Sequence, residues 1–122
     1  MPRINNVLVI DDQQDIGKTL ELVFPEFQFM LREDGPSGLD CLGHHPDIDV
    51  IFLDYHMPGI NGLQTLKAIK KTYPEKKVIM ISVFSHIIKE AMDLGADGFI
   101  EKPLNFDDIQ EMLWQFMDQP GN

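Results

Sequence analysis

Four short stretches of uninterrupted apolar residues punctuate the chain: Val7 to Ile10, Val50 to Leu53, Val78 to Ile81, and the pair Phe99-Ile100. They are rich in branched and aromatic side chains and show no polar alternation, the pattern of strands buried on both faces. Phe27 to Arg32 is more mixed and predicts an edge strand. Between these stretches the apolar residues recur every three or four positions, as on one face of a helix. Ile16, Leu20, Val23 and Phe24 predict a first helix, stopped by Pro25. Leu39 and Leu42 mark a second after Gly35-Pro36, and Leu63, Leu66, Ile69 and Tyr73 a third, stopped by Pro74. Ile88, Ala91 and Met92 mark a fourth, ended by Gly95, since glycine tolerates the positive φ of a helix C-terminus. Phe106, Ile109, Leu113 and Phe116 mark a fifth, with Asn105 as its N-cap and Asp107 and Asp108 at the positive end of its dipole.

Strands alternating with helices predict an α/β fold, a parallel sheet covered by helices on both faces through right-handed crossovers. Five such units use the whole chain. At 122 residues, one domain with its own core is expected over residues 1–122, with a core of about 6–117 and a tail or linker start at 118–122.

Composition narrows the function. The formal net charge of -10 opposes direct nucleic-acid binding and docking on anionic membranes. The single cysteine, Cys41, allows no internal disulfide and suits a reducing cytoplasm; it is expected as a small buried packing residue. Residues 1–6 lack the apolar region of a signal peptide, and no apolar run approaches transmembrane length.

In open α/β sheets the site lies at the carboxyl ends of the strands. The first apolar run is followed by Asp11-Asp12, the second by Asp54, the third by Ser82, and the last, past Glu101, by Lys102-Pro103. Three converging carboxylates repel one another, and a hard divalent cation removes the conflict. Mg²⁺ prefers oxygen ligands and is often held by one or two carboxylates plus a phosphate. Lys102 supplies a point charge suited to a phosphate oxygen, and Ser82 a hydroxyl donor. Together these groups suit phosphoryl transfer, where positioning and charge neutralisation do most of the catalysis. Asp54 is the natural acceptor, because the adjacent Asp11 and Asp12 suit a metal site. Each signal alone has an ordinary explanation: Asp12 as a helix cap, Ser82 as a turn residue, Lys-Pro as surface. Their joint placement on strand ends outweighs it.

The chain resembles the receiver domains of two-component response regulators from Val7 to about Met117. The resemblance rests on Val9-Ile10-Asp11-Asp12, Leu53-Asp54-Tyr55-His56-Met57-Pro58-Gly59-Ile60-Asn61-Gly62, Ile81-Ser82, and Gly95-Ala96-Asp97-Gly98-Phe99-Ile100-Glu101-Lys102-Pro103. It implies a flavodoxin-like doubly wound (βα)5 fold with strand order 2-1-3-4-5. It implies Asp54 as phosphoacceptor, with Mg²⁺ held directly by Asp12 and Asp54, by Asp11 through water, and by the backbone carbonyl of His56. Ser82 would hydrogen-bond the phosphoryl group, Lys102 would pair with it, and Lys102-Pro103 would be cis. Phe99 would be the switch aromatic, moving inward as Ser82 moves toward the phosphate, and His56 would tune phosphoryl lifetime. The implied donor is a histidine kinase or His-phosphotransfer protein. The implied output, a separate domain or effector protein, reads the face of the fourth helix, fifth strand and fifth helix. Such a domain is a cytoplasmic signalling module rather than a metabolic enzyme.

Some positions depart from the family pattern. Val83 stands where a small residue is usual, the stretch from Ser82 to Phe99 is about two residues short, Phe99 lacks a hydroxyl, and the fifth helix has no Lys or Arg. His44, His45 and His86 are expected at the surface, and Trp114 off the apolar stripe of the last helix. Three other readings compete. A flavodoxin-like cofactor binder would want a Gly-, Ser- or Thr-rich phosphate loop where this chain has acidic Asp11 to Asp15. An Asp-nucleophile phosphohydrolase usually carries a second Asp where this chain has His56. A non-phosphorylated pseudo-receiver docking module is opposed by the intact acidic set, Ser82 and Lys102.

Overall fold

The computed structural model describes residues 5–57 and 59–116. The expected tail at 118–122 and Pro58 of the motif lie outside the described residues. The elements run β1 (Asn5–Ile10), α1 (Gln14–Val23), β2 (Phe27–Arg32), α2 (Gly35–His44), β3 (Ile48–Asp54), α3 (Gly62–Thr72), β4 (Lys77–Ser82), a single 3₁₀ turn (Ser85–Ile87), α4 (Ile88–Asp93), β5 (Gly98–Glu101) and α5 (Phe106–Phe116). All strand pairs are parallel and the order is β2-β1-β3-β4-β5, as the resemblance implies.

The strands with continuous apolar runs are the central ones. Their side chains alternate between two cores, which is why no position in the run can be polar. Leu8, Ile10, Ile51, Leu53 and Met80 pack with Cys41 and Leu42 of α2, Leu66 and Ile69 of α3, and Ala91 of α4. Val7, Val9, Phe52, Ile79 and Ile81 pack with Leu20 of α1 and with Ile109 and Leu113 of α5. Helices thus cover both faces. Cys41 is buried, and burial pushes its thiol up, as suits a packing residue.

Four apolar residues lie differently from their predicted faces. Val23 is 39% exposed, because the stripe of α1 runs through Leu20 to Phe24 just past the helix end. Ile88 and Met92 are exposed; the core instead receives Ile87 from the 3₁₀ turn and Ala91 one turn later. Phe106 is 45% exposed, although its ring meets Phe24 edge-on at 6.4 Å. Asn105 caps α5 as expected, its side chain accepting from the Asp107 N–H at 2.8 Å. Between Ser82 and Phe99 the chain forms the 3₁₀ turn and a short α4 of 6 residues.

Candidate functional site

The sheet carries the polar residues to one end. The Asp11 N–H donates to the Arg32 carbonyl, extending the β1–β2 ladder one residue past β1. Asp54 is the last residue of β3 and Ser82 the last of β4. Lys102 follows β5, and its N–H donates to the Ser82 carbonyl at 2.9 Å. The Lys102-Pro103 peptide is cis.

The chain after Asp54 turns sharply. The Tyr55 N–H donates to Ile81 and the Tyr55 carbonyl accepts from Gly62 at 2.8 Å. Gly62 has to be glycine, because a Cβ there would stand 2.5 Å from the Asp54 carbonyl oxygen and 2.6 Å from the Tyr55 Cα. Gly59 takes φ 79°, a left-handed conformation that glycine adopts without strain. Asn61 then starts α3 with a reciprocal capping box: its side chain accepts from the Gln64 N–H, and the Gln64 side chain accepts from the Asn61 N–H.

Ligand oxygens of Asp11, Asp12 and Asp54 lie within 4.8 Å of one another. Asp11 and Asp54 are buried while Asp12 is exposed, so the cluster opens to solvent on the Asp12 side. Asp12 does not cap α1; the boundary residue is Gln13, whose N–H is taken by Asp11 Oδ1 at 2.8 Å. Lys102 Nζ stands 3.1 Å from Asp54 Oδ1 and 3.7 Å from Asp11 Oδ2. The second distance is an ion-pair contact but too long for a hydrogen bond. Asp11 Oδ2 is buried with no hydrogen-bond partner.

One cation among three carboxylates leaves the site short of positive charge. Burial pushes the Asp11 carboxyl up to about 6; the Gln13 N–H pulls it back, the Asp54 charge raises it, Lys102 lowers it and Asp12 raises it. Burial also raises Asp54, opposed by Lys102, with Asp12 adding to the rise and His56 opposing it slightly. The donors are all hard oxygens, one of them buried without a hydrogen-bond partner. That set suits Mg²⁺ and does not suit metals that prefer nitrogen or sulfur.

Ser82 is buried beside this group, and its Oγ accepts from the Phe84 N–H at 2.8 Å. Phe99 is half-buried and packs against the core that contains Leu53 and Met80. His56 is exposed, as are His44 and His86, while His45 is half-buried. Val83 is 59% exposed, and Trp114 on α5 is 55% exposed, off the buried stripe as expected. Two contributors escape a reading of residue types. Gln14 Nε2 donates to the carbonyls of Asp11 (2.6 Å) and Arg32 (3.3 Å), closing the end of the β1–β2 pair. Tyr55 and Phe84 place their rings together across the mouths of β3 and β4. The aromatic residue next to Asp54 is visible in sequence; its partner is not.

A profile described as "Response regulator receiver domain" matches residues 7–114. The chain belongs to the response regulator receiver family. Among its relatives is the transcriptional regulatory protein CpxR of Escherichia coli K12, 31% identical over 105 residues, covering 84% of this chain and 44% of CpxR. The receiver domain therefore spans less than half the length of that curated relative. Its fold matches CheY in a CheX–CheY–BeF3–Mg²⁺ complex from Borrelia burgdorferi, with TM-score 0.84 and 30% identity over 93% of this chain and 90% of that one. It matches equally the response regulator TrrA of Thermotoga maritima in complex with Mg²⁺ and BeF, with TM-score 0.84 and 28% identity over 93% of this chain and all (100%) of that one. Among the described residues no helix is long and apolar enough to cross a membrane.

Proposed function

We propose that the receiver domain accepts one phosphoryl group on Asp54 and changes conformation as a result. The observation that carries this is the carboxylate cluster: Asp11, Asp12 and Asp54 gathered within 4.8 Å, with Lys102 Nζ 3.1 Å from the Asp54 oxygen. Asp12 and Asp54 would hold Mg²⁺ directly, Asp11 through water and His56 through its backbone carbonyl, and the ion would neutralise charge on the phosphoryl oxygens. The Borrelia and Thermotoga proteins, each in complex with Mg²⁺ and beryllium fluoride, support that assignment by likeness.

The chemistry asked of the protein is modest. An ionised Asp54 oxygen attacks the phosphorus of a phosphohistidine on a histidine kinase or His-phosphotransfer protein. The O–P bond forms as the P–N bond breaks, and the electron pair stays on the imidazole nitrogen, which then takes a proton. Lys102 keeps Asp54 in its charged, nucleophilic form against the pull of burial, then faces the oxygens of the transferred group. The Ser82 hydroxyl donates to a phosphoryl oxygen. Water attacking phosphorus later breaks the same O–P bond, releasing inorganic phosphate and the Asp54 carboxylate. His56, exposed two residues on, would affect that hydrolysis.

The switch follows from the same groups. As Ser82 moves toward the phosphoryl group, Phe99, half-buried in the strand beside it, moves further inward. The change is read on the α4–β5–α5 face by an output domain or effector protein, in the cytoplasm. The chain acts as one domain and does not itself meet nucleic acid or membrane.

The test is incubation with acetyl phosphate and Mg²⁺ followed by intact mass. One phosphoryl adduct is expected, absent without metal and absent in Asp54→Asn. An adduct that persists in Asp54→Asn places the acceptor elsewhere, and no adduct in the wild-type protein leaves a docking module as the reading.

A further inference from the structure

We propose that Phe84 is a positioning residue for Ser82, held by an aromatic clasp of Tyr55, Phe84 and His86; this rests on the reading of Asp54 as phosphoacceptor. The Phe84 ring meets Tyr55 edge-on, with centroids 6.1 Å apart and planes at 81°. On its other side it meets His86 at 5.5 Å and 63°. Edge-to-face contacts of this kind are directional and attractive beyond the area they bury.

The clasp has fixed points on both sides of the site. Tyr55 is anchored through both backbone groups, its N–H to Ile81 and its carbonyl from Gly62, and its ring packs against the core. The backbone hold on Phe84 is looser: it caps the 3₁₀ turn at φ -102° and ψ 96°, its carbonyl accepting from the Ile87 N–H at a long 3.4 Å, and it is 40% exposed. The rings on either side add to what sets its position.

That position matters because the Phe84 N–H donates to Ser82 Oγ at 2.8 Å. A serine hydroxyl has one hydrogen to give and two lone pairs to receive with. The Phe84 N–H occupies a lone pair and leaves the hydrogen free. With Ser82 buried and its carbonyl tied to Lys102, the hydroxyl has few directions left. The clasp therefore keeps the Ser82 hydrogen free, so that the hydroxyl can donate to an oxygen of the group on Asp54 as it moves toward it. The residue beside the phosphoacceptor and the residue two after Ser82 act together, so the loop after β4 is tethered to the loop after β3.

A double-mutant cycle tests this. The rate of phosphoryl uptake from acetyl phosphate with Mg²⁺ is followed by intact mass in wild type, Phe84→Ala, Ser82→Ala and the double variant. Each single change is expected to slow uptake about tenfold, a fraction of what losing an oriented donor costs at an oxyanion site. The double variant should be no slower than Ser82→Ala, because Phe84 works only through that hydroxyl. Phe84→Tyr, which keeps the ring, should restore most of the rate. If Phe84→Ala slows Ser82→Ala as much as it slows wild type, Phe84 acts on its own and the proposal fails. Amide hydrogen exchange at Phe84 reads the clasp with no phosphoryl group present. It should be slow in wild type and faster in both Ser82→Ala and Tyr55→Ala; unchanged exchange in either variant overturns the clasp. Wild-type protein that takes no phosphoryl group would instead refute Asp54 as acceptor, while the exchange result still decides whether the clasp exists.

Discussion

The two ends of the sheet use the same side chains to opposite effect. At the amino ends of β4 and β5, Asp97 accepts from Lys70 Nζ at 2.7 Å and from the Val78 N–H at 2.9 Å, with Lys77 Nζ 3.9 Å away. Buried Lys76 donates to the Pro46 carbonyl, and Asn6 donates to Asp47 at 2.8 Å. The carboxylates there face cations or amide donors, and the hydrogen-bonding atoms named are in use. At the carboxyl ends, three carboxylates face one lysine, a buried oxygen of Asp11 has no hydrogen-bond partner, and burial raises both Asp11 and Asp54. A polar group left incomplete inside a protein costs stability, so its retention points to something supplied from outside. The bonded end holds the fold together, and the mismatched end is the site proposed for a cation and a phosphoryl group.

The contrast can be broken by substitution, and the effects should fall in a definite order. Asp54→Asn should remove phosphoryl uptake altogether, as already described. Lys102→Ala leaves the acceptor but removes the one cation beside it; uptake from acetyl phosphate should slow by about 100-fold, in the range for loss of a group stabilising developing charge. Any remaining adduct should signal poorly. Asp97→Ala strips the acceptor from Lys70 and Val78. It should lower unfolding free energy by about 2 kcal/mol in urea titration, as for loss of a charged, part-buried hydrogen-bonding group, with uptake rate unchanged. Lys89→Ala, which breaks an exposed i,i+4 pair with Asp93 at 3.0 Å, should change stability by less than about 0.5 kcal/mol. If Asp97→Ala slowed uptake as much as Lys102→Ala, the division between the two ends would not hold.

The fold was legible because its central strands are buried on both faces. Such strands must be written as unbroken apolar runs, and each run announces itself without reference to the others. The site was legible for the same reason: a carboxylate or a Lys-Pro directly after a buried run can only stand at the strand's end. Helix faces were harder. Around the fourth helix, Ile87 and Ala91 or Ile88 and Met92 satisfy the same spacing, and only packing against the sheet chooses the first pair. Val23 and Phe106 were misplaced for a related reason, since periodicity says little at a helix end, where the chain is leaving the core. The Asp97 clamp and the Tyr55–Phe84 contact join residues from different loops, with separations no local pattern encodes.

The central claim is that the carboxylate end is electrostatically incomplete until a divalent cation arrives. It is tested most directly by unfolding wild type and Asp11→Asn between pH 3 and 8, with and without Mg²⁺. A folded-state pKa of about 6 against an ordinary 3.8 means the folded protein binds more protons in that window. Stability from this group is then full below the lower value and is lost as pH rises through the upper one. Without metal, wild type should match Asp11→Asn at the acid end and become less stable than it by about 3 kcal/mol above pH 6, the free energy that separates those two values. Mg²⁺ should restore wild type at neutral pH and do much less for the variant. A wild-type protein that gains on Asp11→Asn as pH rises, or that does not respond to Mg²⁺, would contradict the account.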